Sequence, residues 1–222
     1  MSSTLKIPLF MAGATATAGI GALAAKELSS PKDEKTISSL LATDPSKRSI
    51  ADSEDEAWKQ AWELYKKSKK DIWRLGEGAD VPLSLKTTCK RKLTLKVSGK
   101  DSEGYREFLS YCTRDTLVSD LIKEHGGGRE LLVKGNGSDG DWKAVWKSYG
   151  SDSRNATKTA NGDIWKLGDW NSKHSEQNAP DTFMNKCIAN AKEPVYEVSN
   201  QIYIDTLAFC TKAKTESVRV NG

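Results

Sequence analysis

One stretch of this amino-acid sequence occurs twice, and any fold the chain adopts must accommodate that doubling. Trp58, Trp62, Tyr65, Trp73, Leu75, Cys89, Tyr105, Leu109, Cys112 and Thr113 appear in order. Trp142, Trp146, Tyr149, Trp165, Leu167, Cys187, Tyr203, Leu207, Cys210 and Thr211 repeat that order. The offset between them is 84 residues at the tryptophan pairs, 92 at Trp73/Trp165 and 98 from Cys89/Cys187 to the final threonines. Constant spacing broken at two points is what loop insertions leave when packed positions keep their distances. The doubling starts before the tryptophans, because Thr36-Ile37-Ser38-Ser39-Leu40-Leu41 recurs as Thr116-Leu117-Val118-Ser119-Asp120-Leu121-Ile122. The expected organisation is an apolar amino-terminal segment (1–26), a spacer (27–34), one unit over 35–113, a second over 114–213 and a polar tail (214–222).

Each unit reads as three helices. Trp58, Trp62 and Tyr65 fall at i, i+4 and i+7, which is one helical face. Ser53 and Glu56 have capping-box spacing, Glu54 and Asp55 add negative charge to the first turn, and Lys66, Lys67, Lys69 and Lys70 crowd the end. Trp142, Trp146 and Tyr149 repeat the face, with Gly150 as the expected stop. Pro82 opens a second helix through Leu85, Cys89 and Leu93, and Pro180 opens its counterpart through Phe183, Met184 and Cys187. A third carries Tyr105, Leu109 and Cys112, or Tyr203, Leu207 and Cys210. In the second unit, Ile202 and Ile204 also leave this segment open to a strand reading. Leu131-Leu132-Val133 suits a short strand, so the fold class is mainly α with a minor β component. Hydrophobic residues make up only 37% of the chain. The core is expected to be small and aromatic, since each aromatic side chain can bury about 150–250 Å².

Cys89 and Cys112 are separated by 23 residues, as are Cys187 and Cys210, and these are the only four cysteines. Of the three possible pairings, equal spacing within a duplicated unit favours Cys89 with Cys112 and Cys187 with Cys210. Such bonds persist in an oxidising compartment, which favours an exported body. The alternative is four reduced thiols on a body facing the cytoplasm. A metal site is not expected, for there is no C-x-x-C and the only histidines are His125 and His174. Residues 7–25 carry no charge. As a helix they would cover about 28 Å, close to the hydrocarbon thickness of a bilayer. The segment is expected to engage the membrane as an anchor or to be cleaved as a signal after Ala22-Leu23-Ala24, with a soluble Ala/Gly-rich tail as the third reading. Lys26, Lys32, Lys35, Lys47 and Arg48 outnumber Lys6 and pull towards a cytoplasmic body, against the cysteines.

The Ile37-Ser38-Ser39-Leu40-Leu41 run, the Trp58-x-x-x-Trp62-x-x-Tyr65 spacing, and units ending at Tyr111-Cys112-Thr113 and Phe209-Cys210-Thr211 resemble the paralogous surface-protein families of haemotropic mycoplasmas. The resemblance covers nearly the whole chain. It implies a wall-less bacterium living on red cells and an exposed, variable antigen at the cell membrane, with the body outside. The family supplies no catalytic residues to carry over. No lipobox cysteine follows the apolar run, so the lipoprotein route is closed here.

No cofactor and no sequence-specific nucleic-acid partner are expected, and no His-based triad suggests itself. Residues 135–140 match G-x-G-x-x-G between a possible strand and a helix start, the context of a phosphate-cradling loop. Neither a βαβ pattern nor a P-loop lysine accompanies them, and the stretch before the first tryptophan helix has no glycine. A turn is the plainer reading, and an anchored nucleotide- or phosphate-binding protein or enzyme using the Gly135–Gly140 loop is the alternative function. Carboxylates at Asp139, Asp141, Glu54 and Glu56 suit helix starts. Between residues 57 and 100 twelve Lys or Arg face four Asp or Glu, with tryptophans interleaved. Lys86, Lys90, Arg91 and Lys92 are therefore the candidate patch for an anionic glycan or lipid on a host surface, set against a solvated face around buried tryptophans. The function expected is a non-enzymatic surface scaffold.

Overall fold

The computed structural model describes residues 34–214; the apolar segment at 7–25 lies outside the described residues. In chain order the elements are β1 (Lys35–Thr36), α1 (Ile37–Leu41), β2 (Lys47–Ser49), α2 (Asp55–Lys67), α3 (Leu83–Lys92), β3 (Lys96–Val97), α4 (Glu103–Cys112) and β4 (Thr113–Asp115). They continue with α5 (Val118–His125), β5 (Arg129–Leu131), α6 (Gly140–Ser151), a 3-10 turn (Ser153–Asn155), α7 (Trp170–Lys173), α8 (Asp181–Ala191), α9 (Gln201–Phe209) and β6 (Thr211–Ala213). Helices dominate. The strands form three antiparallel pairs, β1 with β3, β2 with β4 and β5 with β6. No helix among the described residues is long and apolar enough to cross a membrane.

α2 buries Trp58, Ala61, Trp62 and Tyr65, each no more than 2% exposed, on the face their spacing predicts. The helix starts differently from the expectation. Ser53 and Glu56 form no capping box; Glu54 is the N-cap residue, and its carboxylate accepts from the Ala51 amide at 2.6 Å. The Trp58 indole fixes this geometry by donating to the Ala51 carbonyl at 2.9 Å, so the chain is tethered one residue later than a Ser53 cap requires. At the start of α6 the Asp139 carboxylate accepts from the Asn136 amide, and Trp142 Nε1 donates to Val133 O. Gly150 does not end α6, which runs on to Ser151. A Cβ placed on Gly150 would lie 4.0 Å from the Trp170 ring, which packs edge-on against Trp146 at 5.6 Å. Lys66 Nζ sits over the Trp62 ring at 5.6 Å from its centre.

α3 and α4 are joined by the Cys89–Cys112 disulfide (Cα–Cα 5.4 Å), and α8 is joined to the residue after α9 by Cys187–Cys210 (5.5 Å). The second of these segments is a helix, not a strand, because Tyr203, Thr206 and Phe209 pack inward at helical spacing. The expected strand at 131–133 lies slightly earlier, at Arg129–Leu131, paired with the residues that follow the second disulfide. The backbone bond Ile50 N to Cys112 O (3.1 Å) has a counterpart in Leu132 N to Cys210 O (2.9 Å). Likewise Ile37 N to Leu95 O matches Val118 N to Glu193 O, both 3.0 Å. α5 ends on Gly126, and Gly127 and Gly128 follow with φ of 61° and 80°, so the glycine run is a helix stop.

Two aspartates organise the aromatic cores. Asp71 Oδ1 accepts from Tyr65 Oη (2.9 Å) and from the Leu75 amide (2.7 Å), while Tyr65 Oη accepts from the Trp73 amide (2.8 Å). Asp163 accepts a short bond from Tyr149 Oη and others from the amides of Trp165 (3.2 Å) and Leu167 (2.8 Å); Tyr149 Oη accepts from the same Trp165 amide. Arg74 and Lys166, three residues after these aspartates, take φ of 56° and 54°, a left-handed geometry that closes each turn. Burial, and then the bond to Asp163, push the Tyr149 phenol well above its ordinary range. Asp163 is 6% exposed, whereas Asp71 is half-buried. Asp163→Ala strands the buried Tyr149 hydroxyl proton and the Leu167 amide, while the Trp165 amide keeps its bond to Tyr149 Oη (3.0 Å), and should destabilise the protein by about 1–3 kcal/mol per unsatisfied group. Asp71→Ala should have the smaller effect, as urea unfolding of the two variants will show.

Candidate functional site

The basic residues expected to form one patch are divided by the fold. Lys86 and Lys90, one turn apart on α3, face the start of α2. Lys86 Nζ lies 3.5 Å from Asp55 and 5.6 Å from the Trp58 ring centre, and Lys90 Nζ lies 2.6 Å from Asp52. The Lys90 bond holds the Asp52 carboxyl below its ordinary range. Lys92 Nζ sits 4.6 Å above the Trp73 ring and 3.8 Å from Glu107, and Glu107 also accepts from the Trp73 indole at 3.2 Å. Arg91 is exposed and makes no ion pair among the described residues. Three of the four cations thus tie α3 to its neighbours, leaving one guanidinium in solvent.

The glycine loop at 135–140 is closed by its own groups. Asp139 accepts from the Asn136 amide (3.2 Å), and the Asn136 side chain accepts from the Ser138 amide (3.0 Å). The amides of Asn136, Ser138 and Asp139 are therefore occupied, and a carboxylate stands at the start of α6 where an anion would sit. Gly137 has a packing role. A Cβ there would lie 1.9 Å from the Ala179 carbonyl oxygen, and Gly137 O accepts from the Ala179 amide at 3.0 Å. The adjacent strand β5 is antiparallel to β6, so among the described residues no βαβ unit surrounds the loop.

His125 ends α5, 3.8 Å from Glu124, and His174 follows α7 with its ring 5.6 Å from that of Trp170. Among the described residues neither histidine makes a hydrogen bond to a serine or threonine hydroxyl, although His174 lines one cleft with Ser151 and Ser175. All four cysteines are in disulfides. Among the described residues no group of three or more His, Cys, Asp or Glu could hold a metal ion.

Two clefts remain. The larger, about 620 Å³, lies where α1 and β2 meet the end of α5, lined by Asp44, Lys47, Arg48, Glu124 and His125. Its charges are mutually satisfied. Arg48 makes a two-point contact with Glu124 (3.0 and 2.8 Å), and Lys47 reaches Asp115 at 2.8 Å. Nearby Arg114 bridges Glu54 and Asp120, with Nη1 and Nη2 at 2.6 and 3.0 Å from the Asp120 oxygens. This ionic knot joins residues 44–54 to 114–124. The second cleft, about 520 Å³, lies between α6 and the loop after α7, over Trp146. Lys143 and Lys147 line it, and neither makes an ion pair among the described residues.

Sequence reasoning passed over both the aspartate turns and the knot. The turns had a signal: Asp71-Ile72-Trp73-Arg74-Leu75-Gly76 recurs as Asp163-Ile164-Trp165-Lys166-Leu167-Gly168 with one conservative change. The knot had none, because its partners are far apart in sequence.

Burial on its own would raise the Asp120 carboxyl. Hydrogen bonds from Arg114 and the Leu117 amide, with the charges of Arg114 and Arg48, outweigh it and hold the group below 3.8. A depressed folded value means that the stabilisation is complete above the unfolded value, near pH 4, and is lost as pH falls through the folded one. Urea midpoints should therefore drop below pH 4 in the native protein. They should drop less in Asp120→Asn, which is already weakened at pH 7. Gly137→Ala should lower Tm by several degrees through the clash with Ala179, and millimolar ATP should leave the native Tm unchanged. No family model, curated protein or solved structure matches the chain.

Proposed function

We propose that the body consists of two copies of one disulfide-stapled helical module. We further propose that the protein serves as a non-enzymatic surface scaffold, an antigen or host-interaction protein, exported or held at the membrane through residues 7–25. The observation that carries this reading is the pair of disulfides, each joining the second helix of a half to the end of its third across 23 residues. Such bonds last where the surroundings are oxidising, which supports a body outside the cytoplasm. The two-copy reading is supported by the matched tyrosine–aspartate turns, the matched indole bonds Trp62 Nε1 to Gly78 O and Trp146 Nε1 to Glu176 O, and the matched Thr113 and Thr211 hydroxyl bonds.

A scaffold role is favoured because buried polar side chains such as Asn155 and Asp205 are engaged in holding the chain, the Tyr105 and Thr206 hydroxyls being left without partners among the described residues. The Asn155 side-chain amide donates to Tyr149 O and its carbonyl accepts from the Ile164 amide. Asp205 is held by Arg154 and Gln201. Under this reading the core residues fix the module, while the segments whose length differs between halves, 150–162 and 168–180, are free to vary. Protease treatment of intact cells, followed by peptide mapping without reductant, tests the reading. The expected result is release of body fragments in which Cys89 is linked to Cys112 and Cys187 to Cys210. Free thiols on a body shielded from added protease would overturn it.

A further inference from the structure

We propose that the cleft over Trp146 is a binding groove for a sulfated or phosphorylated saccharide chain, with Lys143 and Lys147 as the anion-binding residues. The comparison behind this inference rests on the two-copy reading, because the first half then acts as an internal control. Along α2 the outward positions Glu56, Lys59, Glu63 and Lys66 alternate in sign and neutralise one another. Lys59 lies 2.7 Å from Glu56, and Lys66 lies 2.7 Å from Glu63. The corresponding positions on α6 are Gly140, Lys143, Lys147 and Gly150. Both acids are gone, one replaced by a second lysine, so two positive charges one helical turn apart have no acidic partner among the described residues. Gly150 in place of Lys66 removes the side chain that would fill the space between α6 and the loop after α7.

The recess that results has a volume of about 520 Å³, within the roughly 300–1,000 Å³ of small-ligand sites. Trp146 contributes to its floor, and its indole donates to the Glu176 carbonyl at 3.0 Å, which pins the opposite wall. His174, Ser175 and Gln177 supply hydrogen-bonding groups along that wall. The one acid lining the groove, Glu176, is held by Lys173 at 2.8 Å, which lessens its repulsion of an anion. A polar recess with cations on one rim suits a single hydroxyl-rich chain that can enter it. A planar lipid surface would meet the rim alone. Charge-assisted bonds from the lysines would hold the sulfate or phosphate, and the wall would hold the sugar.

The test is calorimetric titration of the full chain with a heparin-derived tetrasaccharide, with its desulfated counterpart, and with phosphatidylglycerol vesicles. The native protein should bind the sulfated tetrasaccharide and not the desulfated one. Lys143→Gln combined with Lys147→Gln should weaken binding by about ten-fold or more, as should Lys147→Glu, which restores the first-half residue; two charge-assisted contacts account for an effect of that size. Gly150→Gln, which fills the recess without altering its charge, should also weaken it. Lys90→Gln with Arg91→Gln should leave it unchanged, and near-ultraviolet circular dichroism should be native in every variant compared. The proposal is overturned if sulfation makes no difference, if the Lys90 and Arg91 pair matters as much as the Lys143 and Lys147 pair, if Gly150→Gln binds normally, or if only vesicles bind. Any of these results leaves the protease-accessibility test of the scaffold reading unaffected.

Discussion

A tyrosine hydroxyl bound to an aspartate holds the aromatic cores in register. The helix that carries Tyr149 can place its tryptophans inward only if the chain after it turns back over them. That turn leaves the amides of Trp165 and Leu167 without backbone partners in a nearly dry interior, and Asp163 accepts from both, and from Tyr149 as well. A carboxylate is expensive to bury alone, and three donors are what makes it tolerable there. Around this point Tyr149 contacts Trp146, Trp165, Trp170, Phe183 and Phe209 with ring centres within 5.8 Å. In the first half the Asp71 turn packs fewer rings, with Tyr65 against Trp62, Trp73 and Tyr111, and it leaves its aspartate half-buried.

The disulfides act on the other side of each core. Cys89–Cys112 and Cys187–Cys210 close loops of a size for which the chain-entropy model gives about 3 kcal/mol each, a large fraction of the stability of a small domain. Immediately after each second cysteine the chain enters a strand that pairs with the one preceding the tryptophan helix, so crosslink, strand pair and tryptophan cap converge. The described residues belong to one compact unit. The Arg114–Glu54 and Arg48–Glu124 contacts, together with Thr116 donating to the backbone at Ser46 and Pro45, tie residues 44–54 to 114–124.

Under the two-copy reading, the longer second half brings in α7, whose Trp170 covers the place that the Lys66 stem covers in the first. Gly150 is not forced by packing, since a Cβ there would meet the Trp170 ring and the His174 carbonyl only at ordinary contact distance (4.0 Å), although a glycine inside a helix costs about 1 kcal/mol relative to alanine. Gly150 in place of Lys66 opens the groove beside Lys143 and Lys147. A packing change and a change of surface charge thus arise together at one helix face.

The order and spacing of Trp58, Trp62, Tyr65, the paired cysteines and their later counterparts were enough to place the helices and the crosslinks. Large apolar side chains at helical period must share a buried face, and cysteines at matched separations must meet if the units fold alike. Helix boundaries were less legible. Glu54 in place of Ser53 as the cap depended on an indole bond, and α6 runs one residue past the glycine expected to stop it. Only the tertiary structure decided which charges are free. Lys90 is neutralised by Asp52, 38 residues away, whereas Lys143 and Lys147 meet no acid among the described residues. Ion pairing falls off with distance in space, and neighbours along the chain do not reveal it.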